Sequence, residues 1–242
     1  MREIPNRDLR TKAIVLKRTN YGEADRILNL LTPEGKMSAL ARSVRKEKSR
    51  LAGGIEMFCL SEVVLHKGKS DMATLTSAKM LEFYRGILTD LDIMEIASDI
   101  LKKASHAADL AGDGEYFSLV QQCLKALSDI SSSDLSADAN ATKNAKIELV
   151  QAWFCFNLAK NKGEQMNLLY DVDGEKLKKD QKYTWDSTEA ALRPAERGKI
   201  GANEIKMMRL MLAADLPLIL RVAGAEEMAG EILYIAKAIN QF

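Results

Sequence analysis

Five positive charges, Arg42, Arg45, Lys46, Lys48 and Arg50, fall within nine residues and are opposed by Glu47 alone. Like charges at that density repel unless an anion lies beside them, so the run suits a polyanion such as a nucleic-acid backbone. The ordinary alternative is a solvated charge run. The preceding residues decide how it is presented: Met37, Ala39 and Ala41 alternate with Lys36, Ser38, Leu40 and Arg42, as in a half-buried strand. The cations begin where that strand ends, and a loop leaving a strand is a usual place to present a binding group. Lys12, Lys17, Arg18 and Arg26 extend the patch if the fold brings them to the same side.

Other chemistries find less support. Gly68-Lys69-Ser70 resembles the end of a phosphate-binding loop, but Val63 stands where that motif needs its first glycine, so a hairpin turn is expected. Asp171-Val172-Asp173-Gly174-Glu175 resembles a calcium loop, but Leu169 falls at the first ligand position. His66 and His106 lie in different expected domains without a matching nucleophile. The chain is therefore read as a non-enzyme without cofactor. Base-stacking aromatics are scarce in the N-terminal part: Tyr21, Phe58, Phe83 and Tyr84, of which Phe58 and Phe83 are expected in the core. Backbone-dominated binding follows, with little sequence preference and tolerance of single and double strands.

The 242 residues suffice for one large or two modest domains. The net charge of +1 hides an asymmetry: residues 1–85 carry 17 Lys plus Arg against 10 Asp plus Glu, and the remainder 18 against 24. A basic half of +7 and an acidic half of −6 point to domains with different partners. Cys59, Cys123 and Cys155 are odd in number, widely spaced and set among apolar residues, the usage of a reducing compartment. No CxxC pair is present, no apolar run approaches a membrane span, and the N-terminus lacks the apolar core of a secretion signal. A cytoplasmic protein without membrane partners is expected.

The elements that must position the cations read as β from Thr11 to Met80. Ala13-Ile14-Val15-Leu16 suits a strand covered on both faces. Tyr21-Gly22-Glu23 is a turn, residues 26–32 a second strand, Pro33-Glu34-Gly35 a tight turn and residues 36–42 a third strand. Met57, Cys59, Ser61, Val63 and Leu65 alternate inward in a fourth, and Gly68-Lys69-Ser70-Asp71 turns into a fifth over residues 72–78. Five short strands suit a small closed barrel, which removes its own edges. Beyond Phe83 the spacing of Ile93, Ala97, Ile100 and Ala104, and of Phe117, Val120, Leu124 and Leu127, marks helices. Residues 131–138 read as a polar linker. Thr142 is the expected N-cap of a helix carrying Ile147, Val150, Phe154 and Leu158, with two further helices from Asn203 and Glu226. Between them Asp173-Gly174 signals a hairpin turn, and Tyr183, Thr184 and Trp185 favour strand. The fold class is α+β: a five-stranded OB-fold barrel over 1–82, then a helical domain over 83–242 with an irregular hairpin insertion at about 166–200.

Three stretches, AIVLKRTNYGEADRILNLLTPEGK (13–36), SALARSVRKEKSRLAGGIEMF (38–58) and TLTSAKMLEFYRG (74–86), closely resemble the N-terminal barrel of the RecO recombination mediators. The resemblance covers about a third of the chain; the helical remainder is similar in layout. It implies a DNA-repair protein without catalytic residues that binds single- and double-stranded DNA, anneals complementary strands, associates with RecR and helps load RecA on DNA coated by the single-strand-binding protein SSB. The family's basic segment falls on Arg42, Arg45, Lys46, Lys48 and Arg50, where the charge pattern had already pointed. The resemblance also makes Lys143 and Lys146 candidates for holding the acidic SSB tail.

The chain departs from the family pattern in three places. Many members carry a four-cysteine zinc site whose CxxCG positions fall here on Tyr170, Asp173 and Gly174, so packing of Tyr183 and Trp185 is expected to replace metal. The turn at Pro33-Glu34-Gly35 is one residue short, and Ser43 stands where glycine is common. A reading of a different class is a protein-interaction adaptor whose barrel binds an acidic protein tail, with incidental DNA binding.

Overall fold

The structure, a computed structural model, describes residues 8–68, 72–111, 115–132 and 137–240. The chain forms two compact units, Met1–Leu124 and Lys125–Phe242. In the first, β1 (Asp8–Tyr21), β2 (Asp25–Thr32), β3 (Gly35–Ala41), β4 (Cys59–His66) and β5 (Ala73–Phe83) close in the order β1-β2-β3-β5-β4. This is the expected five-stranded OB-type barrel followed by helices.

Closure depends on β1, which is long enough to pair twice. Its first half runs antiparallel to β4, from Asp8↔His66 to Ile14↔Leu60, and its second half to β2, from Ile14↔Leu31 to Tyr21↔Asp25. A register shift between Val15 and Lys17 lies where the strand passes from one partner to the other, as bulges do at barrel corners. β3 meets β5 in a short parallel pair, Ala39↔Ala73 and Leu40↔Thr74. The interior is filled by Ala13, Val15, Leu28, Leu30, Val63 and Leu65 with smaller Ala39 and Ala41, while Ile14 and Leu16 on the other face are also buried. The run of four apolar residues is thus covered on both sides, as its composition required.

The two-residue turn between β2 and β3 follows its sequence signal. Thr32 pairs with Gly35 across Pro33-Glu34, the Thr32 hydroxyl donates to the Gly35 carbonyl at 2.8 Å, and Gly35 takes φ +106°. The turn expected at Gly68-Lys69-Ser70-Asp71 falls, beyond Gly68, outside the described residues. β5 runs to Phe83, farther than the expected 78, because its end pairs with the start of β4 (Cys59↔Phe83), a partner invisible in the local pattern. A 3-10 turn at Ala52–Gly54 brings Gly54 against β5, where an added Cβ would lie 2.6 Å from the Ala78 carbonyl carbon and Cβ.

Asp90 accepts the N–H groups of Asp92 and Ile93 at 3.0 and 3.2 Å and so starts α1 (Leu91–Ala111), which buries Ile93, Ala97, Ile100 and Ala104. α1 is fastened to the barrel by Lys36, whose ammonium meets both Asp109 oxygens at 2.7 Å and the Ser105 carbonyl at 3.2 Å. α2 (Glu115–Ser131) follows, burying Phe117, Val120, Leu124 and Leu127.

In the second unit α3 (Ala137–Asn161) starts five residues before Thr142, which is therefore inside the helix and not its N-cap. Of the expected linker at 131–138, Ser131 ends α2, residues 133–136 lie outside the described residues and 137–138 are already helical. α3 is also buried more widely than one face: Leu149, Trp153, Cys155, Phe156 and Ala159 join Ile147, Val150, Phe154 and Leu158. Three of its polar groups satisfy carbonyls at the end of α4 (Ala202–Ala213), from Trp153 to Ala214 (2.9 Å), Asn157 to Met211 (3.0 Å) and Lys160 to Leu212 (2.9 Å). A short α5 (Leu216–Ile219) precedes α6 (Ala225–Ile239), which packs on α3. Among the described residues no helix is long and apolar enough to cross a membrane.

The insertion contains the expected turn and strands. The Asp171 carboxylate accepts the N–H groups of Asp173 and Glu175 at 3.0 Å, with Gly174 at φ +78°. β6 (Tyr183–Asp186) and β7 (Ala191–Pro194) form a hairpin. Tyr183 is buried, its hydroxyl accepts the Lys178 N–H at 2.8 Å, and its backbone exchanges hydrogen bonds with Ile200. Trp185 is half-buried. At the hairpin turn the N–H of Glu189, then the Arg193 guanidinium, hold the Asp186 carboxyl below the usual carboxylate range.

Two outcomes are expected. Gly54→Ala should destabilise the barrel by about 1–3 kcal/mol through overpacking, read as a lower urea midpoint at unchanged slope. Because the folded Asp186 has a depressed pKa, its contribution is present above the unfolded value and lost as pH falls through the folded one. Stability measured from neutral pH to below about 4 should therefore fall more steeply in the wild type than in Asp186→Asn.

Candidate nucleic-acid interface

The segment joining β3 to β4 is anchored by apolar side chains and presents polar ones. Val44 and Ile55 are buried in the barrel core and Leu51 packs against it. Arg42, Arg45, Lys46, Lys48 and Arg50 are all exposed. Val44 is the only apolar residue among 42–48, a signal within the run itself that the loop is pinned there.

Hydrogen bonds to the β1–β2 hairpin hold the start of the loop. The Arg45 N–H donates to the Ala24 carbonyl at 2.9 Å and its guanidinium to the Gly22 carbonyl at 3.2 Å. The Ser43 N–H donates to the Asp25 carboxylate at 2.6 Å. Ser43 has φ +52°, a left-handed conformation that glycine adopts without strain. Asp25 was not singled out by the sequence pattern, because its partner lies eighteen residues away.

The remaining cations divide by register. Lys17 pairs with Asn29 and, on alternation, shares the outer face of β1 with Thr19 and Tyr21; all three are exposed. Arg26 stands between Asn20 and Ala41, on the register that faces the barrel interior, and its Nε donates to Asn20 Oδ1 at 3.3 Å. Arg18, opposite Leu28 on the same register, is 26% exposed and pairs with Glu56 at 2.7 Å. Its charge is already neutralised. Lys12 is exposed opposite Glu62, toward the other half of β1. Among the described residues no ion pair engages Arg42, Lys46, Lys48 or Arg50. Arg18, Arg26 and the loop thus meet at one end of the barrel, with Lys17 on its flank and Lys12 apart. In the second unit Lys143 and Lys146, three residues apart, lie on one side of α3, both half-buried.

Metal and nucleophile chemistry find no such concentration. Among the described residues no group of three or more His, Cys, Asp and Glu is placed to hold a metal. The insertion offers Tyr170, Asp173 and Gly174 where a thiolate site would need cysteines, and Cys59, Cys123 and Cys155 are buried in β4, α2 and α3. A zinc site does not fit. Burial pushes the Cys59 thiol up, leaving it a poor nucleophile. His66 pairs with Asp8 at 2.6 Å at the barrel rim, and His106 is exposed on α1.

Comparison with known proteins agrees with this architecture. The family profile described as "Recombination protein O N terminal" matches residues 6–84. The protein named DNA repair protein RecO from Dehalococcoides mccartyi strain 195 is 30% identical over 242 residues, covering 97% of this chain and 90% of that protein. The protein of the same name from strain CBDB1 is 38% identical over 130 residues, 53% of this chain and 51% of its own length. That from Acetivibrio thermocellus is 40% identical over 110 residues, 42% and 43% of the two chains. With a relative at that identity spanning nearly all of both sequences, the chain belongs to the RecO family.

Proposed function

We propose that this protein acts in DNA repair and recombination as a sequence-independent DNA-binding mediator. The observation that carries the reading is the pinned loop: exposed cations without acidic partners among the described residues, held on the barrel by Val44, Ile55 and the bonds to the β1–β2 hairpin. Such an array takes the phosphate backbone of single or double strands, and bringing cations between two polyanions reduces the repulsion that opposes annealing. Arg42, Arg45, Lys46, Lys48 and Arg50 form the centre, Lys17 and Arg26 its margin, and Arg18 contributes through positioning. Membership of the RecO family supports the remaining steps of the proposal: strand annealing, association with RecR and help in loading RecA on SSB-coated single strands. In this division of labour residues 1–82 bind DNA and 83–242 receive protein partners, with Lys143 and Lys146 offered to the acidic SSB tail.

Reversing Lys46, Lys48 and Arg50 to Glu should abolish DNA binding and annealing while costing little stability, since these side chains are exposed and take no part in holding the loop. Wild-type affinity of that variant at moderate salt would refute the site. Neutralising about four phosphates should give a logarithmic salt slope of roughly −3 on single strands. In a competition titration, an acidic tail peptide that displaced oligonucleotide from the barrel at equal or lower concentration would favour the adaptor reading.

A further inference from the structure

Of the six aromatic residues in 1–124, Phe58, Tyr84, Tyr116 and Phe117 are buried and Phe83 is partly covered, with the Arg85 guanidinium 5.7 Å from its ring centre. Tyr21 alone is exposed, at 56%. A large ring left that open on a strand end contributes little to folding.

Its position is specific. Tyr21 closes the β1–β2 hairpin opposite Asp25, the residue whose carboxylate accepts the Ser43 N–H. The next residue, Gly22, gives its carbonyl to the Arg45 guanidinium. The register ends at Arg26↔Ala41, so Arg42 leaves β3 beside Asp25. Lys17 lies on the same outer face of β1, four residues back, on the order of 13 Å along a strand. The exposed ring is thereby set between cations at both ends of a surface about as long as a few nucleotides. The flat face of a base is the ligand that such an arrangement suits, because stacking is tolerant of sequence and needs a base free of its duplex.

Resting on the reading of the loop as a DNA-backbone site, we propose that Tyr21 stacks on an unpaired base of the strand held there and so adds a preference for single strands to an otherwise backbone-directed interface that accepts both. A strand would run across the outer face of β1 with phosphates on Lys17 and Arg42 and one base on the ring.

The test measures binding of oligothymidine, an abasic oligonucleotide of equal length and a duplex to the full chain. The proteins are wild type, Tyr21→Ala, Tyr21→Phe and the triple loop reversal. Tyr21→Ala should lose about tenfold in affinity for oligothymidine and leave the abasic strand and duplex unchanged, while Tyr21→Phe should bind as wild type. The inference is overturned if Tyr21→Ala keeps its affinity for oligothymidine, or loses it equally on the abasic strand. If instead the loop reversal binds like wild type, the backbone site itself is wrong and this assignment falls with it. Unchanged thermal melting of both Tyr21 variants accompanies the expected result.

Discussion

A single strand serves two edges of the barrel, and the interface is possible only because of that. Were β1 to pair with β2 alone, β4 and the far edge of the sheet would expose unpaired backbone groups, and the connection from β3 to β4 would have no fixed ends. The shift between Val15 and Lys17 lets the strand turn from β4 to β2 while keeping Ala13 and Val15 inside. Past the shift, the outer face carries Lys17, Thr19 and Tyr21, toward the end where the basic loop leaves β3.

Within the loop, attachment and binding are performed by different residues. Val44, Leu51 and Ile55 hold it through burial, and hydrogen bonds from Ser43 and Arg45 fix it to the hairpin. The charges are then free of structural duty, except in Arg45, which does both. Arg18 shows the contrast: similarly close to the loop in the fold, it is tied to Glu56 and its charge is absorbed. A cation without a partner in the folded protein adds self-repulsion that an incoming phosphate relieves, so the same feature that slightly costs stability favours the ligand.

The second unit solves a different problem, that of ending one helix against the side of another. Trp153, Asn157 and Lys160 of α3 reach three carbonyls at the end of α4, of Ala214, Met211 and Leu212, and supply donors where the helix has none of its own. The insertion holds together in the same way: Tyr183 is buried and its hydroxyl accepts a backbone N–H, the Asp171 and Asp186 carboxylates close turns, and Gly198 allows close approach to the Tyr183 carbonyl. Backbone hydrogen bonds and a buried ring hold this insertion together.

Alternation, turn residues and helical spacing are local properties, and so the succession of five strands along the chain, the tight turn at Pro33-Glu34-Gly35 and the buried faces of α1 and α2 are legible from the amino acids, as is the basic run. Thr142 misled because a local capping signal was outweighed by the strong helix formers Ala137, Ala139 and Ala141 before it, which carry the helix back to Ala137. The end of β5 and the holding of Ser43 by Asp25 depend on pairing between residues 24 and 18 positions apart. Which cations are free was likewise beyond the sequence: Arg18 and Lys17 are neighbours in the chain, yet one meets Glu56 and the other solvent, because successive side chains of a strand point to opposite faces and only closure of the barrel decides what waits there.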